Sequence, residues 1–131
     1  MVIDTSAILC VLFEEESAIW VLEQMESHRE RLLMSTVNLT EALIRLRSRL
    51  AQSAARLESS LLSSRVDFIA PSIEQARLAA VARLKFPLNL GDCFAYALSA
   101  TENCPLLALD EDFCQCDRPV LIPPKPTKNP G

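Results

Sequence analysis

The sequence holds a single histidine, His28, and no excess of basic residues: 13 Lys and Arg stand against 17 Asp and Glu, a formal net charge of −4. That balance excludes generic electrostatic adhesion to nucleic acid, which shows as a basic domain. It does not exclude an enzyme that works on one. His28 lies in a charged connection, Ser27-His28-Arg29-Glu30-Arg31, and is not read as catalytic, because general acid–base work needs reach to a reacting group. Long apolar runs are missing too. No stretch is long enough to span a bilayer. The N-terminal run is broken by Asp4 and leads into Glu14-Glu15-Glu16, without the basic start and small-residue cleavage site of a signal peptide. These absences predict a soluble, cytoplasmic protein with no membrane partner. Aromatics are few, one Trp, one Tyr and five Phe, so the core must rest on Leu, Ala, Val and Ile.

What is present suits one compact domain. The chain has 131 residues, half of them hydrophobic, enough for a sizeable core. Its five cysteines are an odd number without a secretion signal, which favours reduced thiols. Cys114-Gln115-Cys116 lacks zinc spacing and a matching second pair. Cys10 and Cys93 fall in apolar helical contexts and read as small buried hydrophobes.

Short continuous apolar runs read as buried parallel strands. Such runs occur at Met1 to Ile3, Leu32 to Met34, Val66 to Ala70, Leu106 to Leu109 and Val120 to Ile122. Helical segments fall between them: Ser6 to about Phe13, Ser17 to Met25, a helix capped by Ser35 or Thr36, Ala54 to Ser63, a helix capped by Ser72, and Asp92 to about Thr101. On the Ser72-capped helix, Ile73, Ala76, Ala80 and Leu84 are expected to face the core. Strands alternating with helices mean α/β with a parallel sheet. Residues 1–122 are read as one domain. The proline-rich residues 123–131 cannot form regular hydrogen-bonded structure and are expected to be mobile.

Two of the apolar runs end on an acid: Met1-Val2-Ile3 on Asp4, and Leu106-Leu107-Ala108-Leu109 on Asp110. In an open α/β sheet the ligand crevice lies beyond the carboxyl ends of the strands, so both acids would point into one crevice. Glu41 and Gly91-Asp92 stand near the starts of helices. Carboxylates converging in this way suit Mg²⁺ or Mn²⁺, hard cations that prefer oxygen ligands and serve phosphate chemistry. Each acid also has a plainer reading. Asp4 can cap the following helix, in competition with Thr5 or Ser6. Glu41 can be a solvated helix residue. Asp92 can be an N-cap. Asp110, Glu111 and Asp112 form a cluster of which at least one faces the crevice.

Taken together, Asp4-Thr5-Ser6-Ala7, Glu41, Gly91-Asp92-Cys93-Phe94-Ala95-Tyr96-Ala97 and Pro105-Leu106-Leu107-Ala108-Leu109-Asp110-Glu111-Asp112-Phe113 resemble the PIN-domain ribonucleases, and most of all the VapC toxins of type II toxin–antitoxin modules. The resemblance covers nearly the whole chain up to the proline-rich tail. It implies a three-layer fold with a central, mostly parallel sheet flanked by helices. It also implies a metal-dependent endoribonuclease that leaves 5′-phosphate and 3′-hydroxyl ends. By this resemblance Asp4, Glu41 and Asp92 carry over as catalytic and metal-organising carboxylates. Asp112 is preferred as the fourth acid, matching the acid just before Phe113, with the strand-end Asp110 as the alternative. Ser6 fits a supporting hydroxyl. The implied partners are RNA, with tRNA among the candidates, a VapB-type antitoxin and a second copy of the chain. The stretch before Gly91-Asp92, Lys85-Phe86-Pro87-Leu88-Asn89-Leu90, is shorter and more apolar than in many relatives, and this departure bears on which RNA is chosen. Arg45 and Arg49 continue the helix face of Glu41 at i+4 spacing and are candidate RNA contacts, against the alternative of a surface Glu–Arg ladder.

Other classes fit less well. A non-catalytic PIN scaffold would not need the intact acids. A signalling receiver wants a phosphoacceptor Asp at the end of a middle strand, but Asp67 stands at a strand start. A haloacid-dehalogenase-like phosphatase wants a second Asp two residues after the first, where Ser6 stands.

Overall fold

β1 (Val2–Ile3) runs through the middle of a sheet, paired in parallel with β2 (Leu32–Ser35) on one side and β4 (Leu106–Leu107) on the other. Both of its faces are covered, so Met1, Val2 and Ile3 are all buried. This is the physical reason for a continuous rather than alternating apolar run. A computed structural model describes residues 1–125. Among these residues the sheet is completed by β3 (Val66–Ile69) beside β2 and β5 (Val120–Leu121) beside β4, in the order β3-β2-β1-β4-β5. Every neighbouring pair is parallel.

The helices form the outer layers. α1 (Thr5–Leu12), α2 (Ala18–Ser27), α3 (Thr36–Arg49) and α4 (Ala54–Leu62) cover the face to which Met1, Ile3, Leu32, Met34 and Leu107 point. α5 (Ile73–Lys85), α6 (Leu90–Glu102) and the 3₁₀ turn Glu111–Gln115 cover the face of Val2, Leu33, Leu106 and Ala108. Trp20 and Met25 pack on the first core, and Cys10 and Cys93 are buried. The three-layer α/β expectation holds.

Chain order sets where a ligand can sit. The chain moves outward from β1 to β2 to β3, then crosses back to lay β4 on the other side of β1. The reversal makes the carboxyl ends of β1 and β4 a topological switch point, the place where open α/β sheets bind ligands. Asp4 follows β1 there, and Asp110 comes shortly after β4.

Three expectations need correction. In α5 the buried residues are Gln75, Ala79 and Ala82, while Ile73 and Leu84 are exposed by 76% and 92%, and Ala76 and Ala80 are exposed as well. The exposed stripe is the more apolar of the two, since the buried one includes Gln75, so periodicity favours the wrong face. α5 packs extensively on α6, whose buried face includes Ala95 and Ala97, and small residues on both helices permit close approach. Gln75 donates from Nε2 to Thr101 Oγ1 at 3.2 Å, while its Oε1 is buried without a partner among the described residues. α6 begins at Leu90 rather than Asp92, because Asn89 is its N-cap. The last strands are shorter than the apolar runs that suggested them. Pro123, Pro124 and Lys125 carry no regular structure, and residues 126–131 of the expected mobile tail lie outside the described residues.

Candidate active site

A cavity of about 430 Å³ opens at the switch point. Asp4, Glu41, Asp92 and Asp110 all line it, each brought there by a different element. Asp4 is the N-cap of α1 and is 1% exposed. Its Oδ2 accepts from the Ser6 backbone N–H at 3.1 Å and from Ser6 Oγ at 2.6 Å. Its Oδ1 is buried without a partner among the described residues. The capping role and the site role therefore coexist on different oxygens of one carboxylate. Ser6 Oγ also accepts the Leu109 backbone N–H at 3.0 Å, which ties the end of β1 to the segment after β4.

Asp92 occupies the third position of α6 in a capping box with Asn89. Asn89 Oδ1 accepts the Asp92 N–H at 2.8 Å, and Asp92 Oδ2 receives the Asn89 N–H at a long 3.4 Å. Asn89 thus satisfies the helix start, and Asp92 keeps its other oxygen for the cavity.

Glu41 is half-buried rather than solvated. Its Oε1 accepts from Thr5 Oγ1 at 3.0 Å and from Asn38 Nδ2 at 3.1 Å. Asn38 is completely buried, and its Nδ2 also reaches Thr5 Oγ1 at 3.1 Å and the Gly91 carbonyl at 3.0 Å. A Cβ at Gly91 would collide with the Glu41 carboxylate, so the glycine is what lets that carboxylate rest against the first turn of α6.

The electrostatics show how closely these acids converge. Burial pushes Asp4 up from the ordinary 3.8 to about 6, against the lowering pull of the Ser6 hydrogen bonds, and the charge of Glu41 adds to the rise. Burial and then the charge of Asp4 push Asp92 to about 7, with further contributions from Asp110 and Glu41. Like charges gathered in a desolvated place cost free energy unless a proton or a cation neutralises them.

The fourth acid is where the structure departs from the preferred reading. Asp110 lines the cavity and its charge acts on Asp92. Asp112 is exposed and is not among the lining residues; its backbone N–H is held by Asp110 Oδ1 at 2.9 Å, which caps the 3₁₀ turn. Arg45 and Arg49 do line the cavity. Arg49 is engaged, its guanidinium 4.0 Å from the Phe13 ring centroid and 3.7 Å from Glu15. Arg45 is exposed, with no ion pair among the described residues. His28 ends α2 and does not line the cavity.

Thr5, Asn38 and Asn89 belong to the site but carry no charge to draw attention in a sequence. One signal was available for each Asn. Asn89-x-x-Asp92 has the spacing of a capping box. Asn38 stands three residues before Glu41, on the same helix face.

The residue set fits a divalent cation of the water-rich kind. Among the described residues no three His, Cys, Asp or Glu side chains form a ready-made cage. Mg²⁺ does not need one, since it binds through one or two carboxylates and keeps several waters. The unpartnered Asp4 Oδ1 and the all-oxygen donor set match that preference.

Fold and site together define a PIN domain, and residues 1–119 match that family. The chain is 35% identical over 125 residues to a VapC ribonuclease of Mycobacterium bovis, covering 89% of this chain and 95% of that protein. It is 36% identical over 121 residues to a ribonuclease VapC of Mycolicibacterium smegmatis, covering 86% and 93%. The chain belongs to the PIN-domain family, in its VapC ribonuclease branch. The fold is also that of Mycobacterium tuberculosis VapC20, a sarcin-ricin-loop-cleaving toxin, with TM-score 0.77, 16% identity and coverage of 89% and 95%. VapBC2 of Rickettsia felis, solved on a DNA fragment from its promoter, superposes with TM-score 0.73 at 13% identity, covering 92% and 96%.

Proposed function

We propose that this protein is an endoribonuclease that hydrolyses RNA phosphodiester bonds with the help of Mg²⁺ or Mn²⁺, and that it is the toxin of a VapBC-type toxin–antitoxin module. One observation carries the reading: four acids from four elements face a single cavity at the switch point, and a buried oxygen of one of them, Asp4 Oδ1, has no partner among the described residues.

Asp4, Asp92 and Asp110 would hold the cation, and Glu41 would help to hold it through a water bound between them. Bound there, it would polarise the phosphoryl group and lower the pKa of a water. Glu41 orients the attacking water. Its Oε1 is committed to Thr5 and Asn38, while Oε2 has no hydrogen-bond partner among the described residues and can accept the water's proton. Attack at phosphorus with departure of the 3′ oxygen leaves 5′-phosphate and 3′-hydroxyl ends. Ser6 steadies the Asp4 carboxylate. Arg45, free at the rim, meets a backbone phosphate next to the scissile one, and Arg49 extends that track along α3.

The nuclease domain spans residues 1–122. No helix among the described residues is long and apolar enough to cross a membrane, and the site of action is the cytoplasm, where RNA is. The antitoxin covers the acidic cavity. A second copy packs on the exposed stripe of α5, Ile73, Ala76, Ala80 and Leu84.

Cleavage of a mixed tRNA and structured-RNA pool tests the central claim. Wild type with Mg²⁺ or Mn²⁺ is expected to cut, and EDTA or Asp92→Asn to abolish cutting. Equal cutting by wild type and Asp92→Asn would refute the site. In the same assay Arg45→Glu is expected to raise KM and to flatten the salt dependence; an unchanged salt slope removes Arg45 from the RNA track.

A further inference from the structure

Asn38 is an uncharged side chain with every mark of a placed one. It is 0% exposed in the first turn of α3, and burial of an amide without partners is costly. Its Nδ2 has three acceptors within 3.1 Å, each from a different helix: Thr5 Oγ1 on α1, Glu41 Oε1 on its own α3, and the Gly91 carbonyl on α6. All three acceptors are oxygens, two of them unable to donate, so the amide must present its nitrogen to them. Its Oδ1, on the other side, is buried without a partner among the described residues. A residue kept only for packing at this position would be apolar, and would leave no unpaired oxygen behind.

We infer that Asn38 is a positioning residue: it holds the Glu41 carboxylate against the first turn of α6 and so sets its distance to Asp92, one residue beyond Gly91. A second feature supports this independently. The Glu41 carboxylate occupies the space that a Cβ on Gly91 would take, so the chain both makes room for the carboxylate there and supplies the donor that keeps it there. Thr5 Oγ1 gives the second donor to the same oxygen. Two donors on Oε1 leave one way for Oε2 to point. The inference rests on the nuclease reading for its catalytic meaning, but the positioning itself can be measured without RNA.

The test is a double-mutant cycle on the full chain with Asn38→Ala, Glu41→Gln and the pair. Two readouts are used: Mn²⁺ affinity of the RNA-free protein by electron paramagnetic resonance, and kcat and KM on the RNA pool. Asn38→Ala is expected to lower kcat and to weaken Mn²⁺ binding, each by about 10–100-fold, the usual cost of freeing a site ligand from its support, with KM little changed. In the Glu41→Gln background the same change is expected to cost almost nothing further in kcat or in Mn²⁺ affinity, because a residue that acts through Glu41 has nothing left to act on. Additive losses in either readout would overturn the inference. Should Asn38→Ala not fold, Asn38→Asp replaces it: the shape is kept, the donor becomes an acceptor facing Glu41, and the same non-additivity is expected. Failure of both variants to fold would make Asn38 a support of the core and would also overturn it. If the wild type binds Mn²⁺ but cuts no RNA, the nuclease reading fails alone, and the Mn²⁺ cycle still decides the role of Asn38.

Discussion

Ser6 and Leu109, 103 positions apart, are joined by a hydrogen bond of 3.0 Å from the Leu109 N–H to Ser6 Oγ. The same hydroxyl donates to Asp4 Oδ2 at 2.6 Å. One small side chain thus clasps the two segments that border the acidic cavity and orients the acid between them. Ser6→Ala is expected to leave the Leu109 N–H unpaired and to destabilise the fold by about 1–3 kcal/mol, the usual cost of orphaning a buried group. RNA cleavage should fall by about tenfold or more. Urea denaturation and initial rates measure the two effects; a variant that matches wild type in both would deny the clasp.

Asp4 and Asp92 titrate at about 6 and about 7 in the folded chain, against 3.8 ordinarily. Between these values the folded protein holds protons that the unfolded chain has released. Their contribution to stability is therefore fully present below about pH 4 and is lost progressively through the window from about pH 4 to about pH 7, levelling off above the folded values. In EDTA the melting temperature of wild type should fall across this window, and Asp92→Asn, which cannot ionise there, should show a shallower fall. Added Mg²⁺ should raise the melting temperature most at the alkaline end. Parallel curves for wild type and variant would contradict the assignment.

Asp110, not Asp112, faces the cavity. Asp110→Asn is expected to reduce cleavage by about 10–100-fold, whereas Asp112→Asn should stay within about twofold of wild type, as surface changes do. The opposite ranking, read from single-turnover rates on one RNA, would return the fourth acid to Asp112.

Gly91 sits in the first turn of a helix, where alanine is ordinarily worth up to about 1 kcal/mol over glycine. Here the added methyl meets the movable end of Glu41. Gly91→Ala should therefore lower kcat while leaving the melting temperature near that of wild type, the helix gain being offset by the bonds from Thr5 and Asn38 to Glu41 that are lost. Unfolding of the variant, or full activity in it, would show that Glu41 does not rest where it is described.

The apolar stripe of α5 predicts self-association. Leu84, 92% exposed, is the change of choice: Leu84→Lys should halve the mass in solution at micromolar concentration without altering the melting curve of the dilute chain. A wild type that is monomeric at high concentration would remove the proposed second copy from this face.

Much of this protein could be read from its residues. β1 and β4 are buried on both faces, so their apolar runs are unbroken, and their ends at Asp4 and just before Asp110 mark the crevice by the geometry of parallel sheets alone. The order of strands and helices and the acids as a set are matters of local pattern, and the supporting place of Ser6 followed from the resemblance to PIN-domain ribonucleases. Which face of α5 is buried was not a matter of local pattern, because it depended on how the helix packs against α6. Nor was the choice between Asp110 and Asp112: they differ by two residues, and the turn that Asp110 caps sends Asp112 outward. Asn38 and Gly91 lay deepest, since their roles exist only once α1, α3 and α6 meet around a single carboxylate. Composition and periodicity determine which elements form and which charges they carry. Which oxygen of each acid is left free is decided only when the helices pack, because hydrogen bonds from distant residues claim the other one.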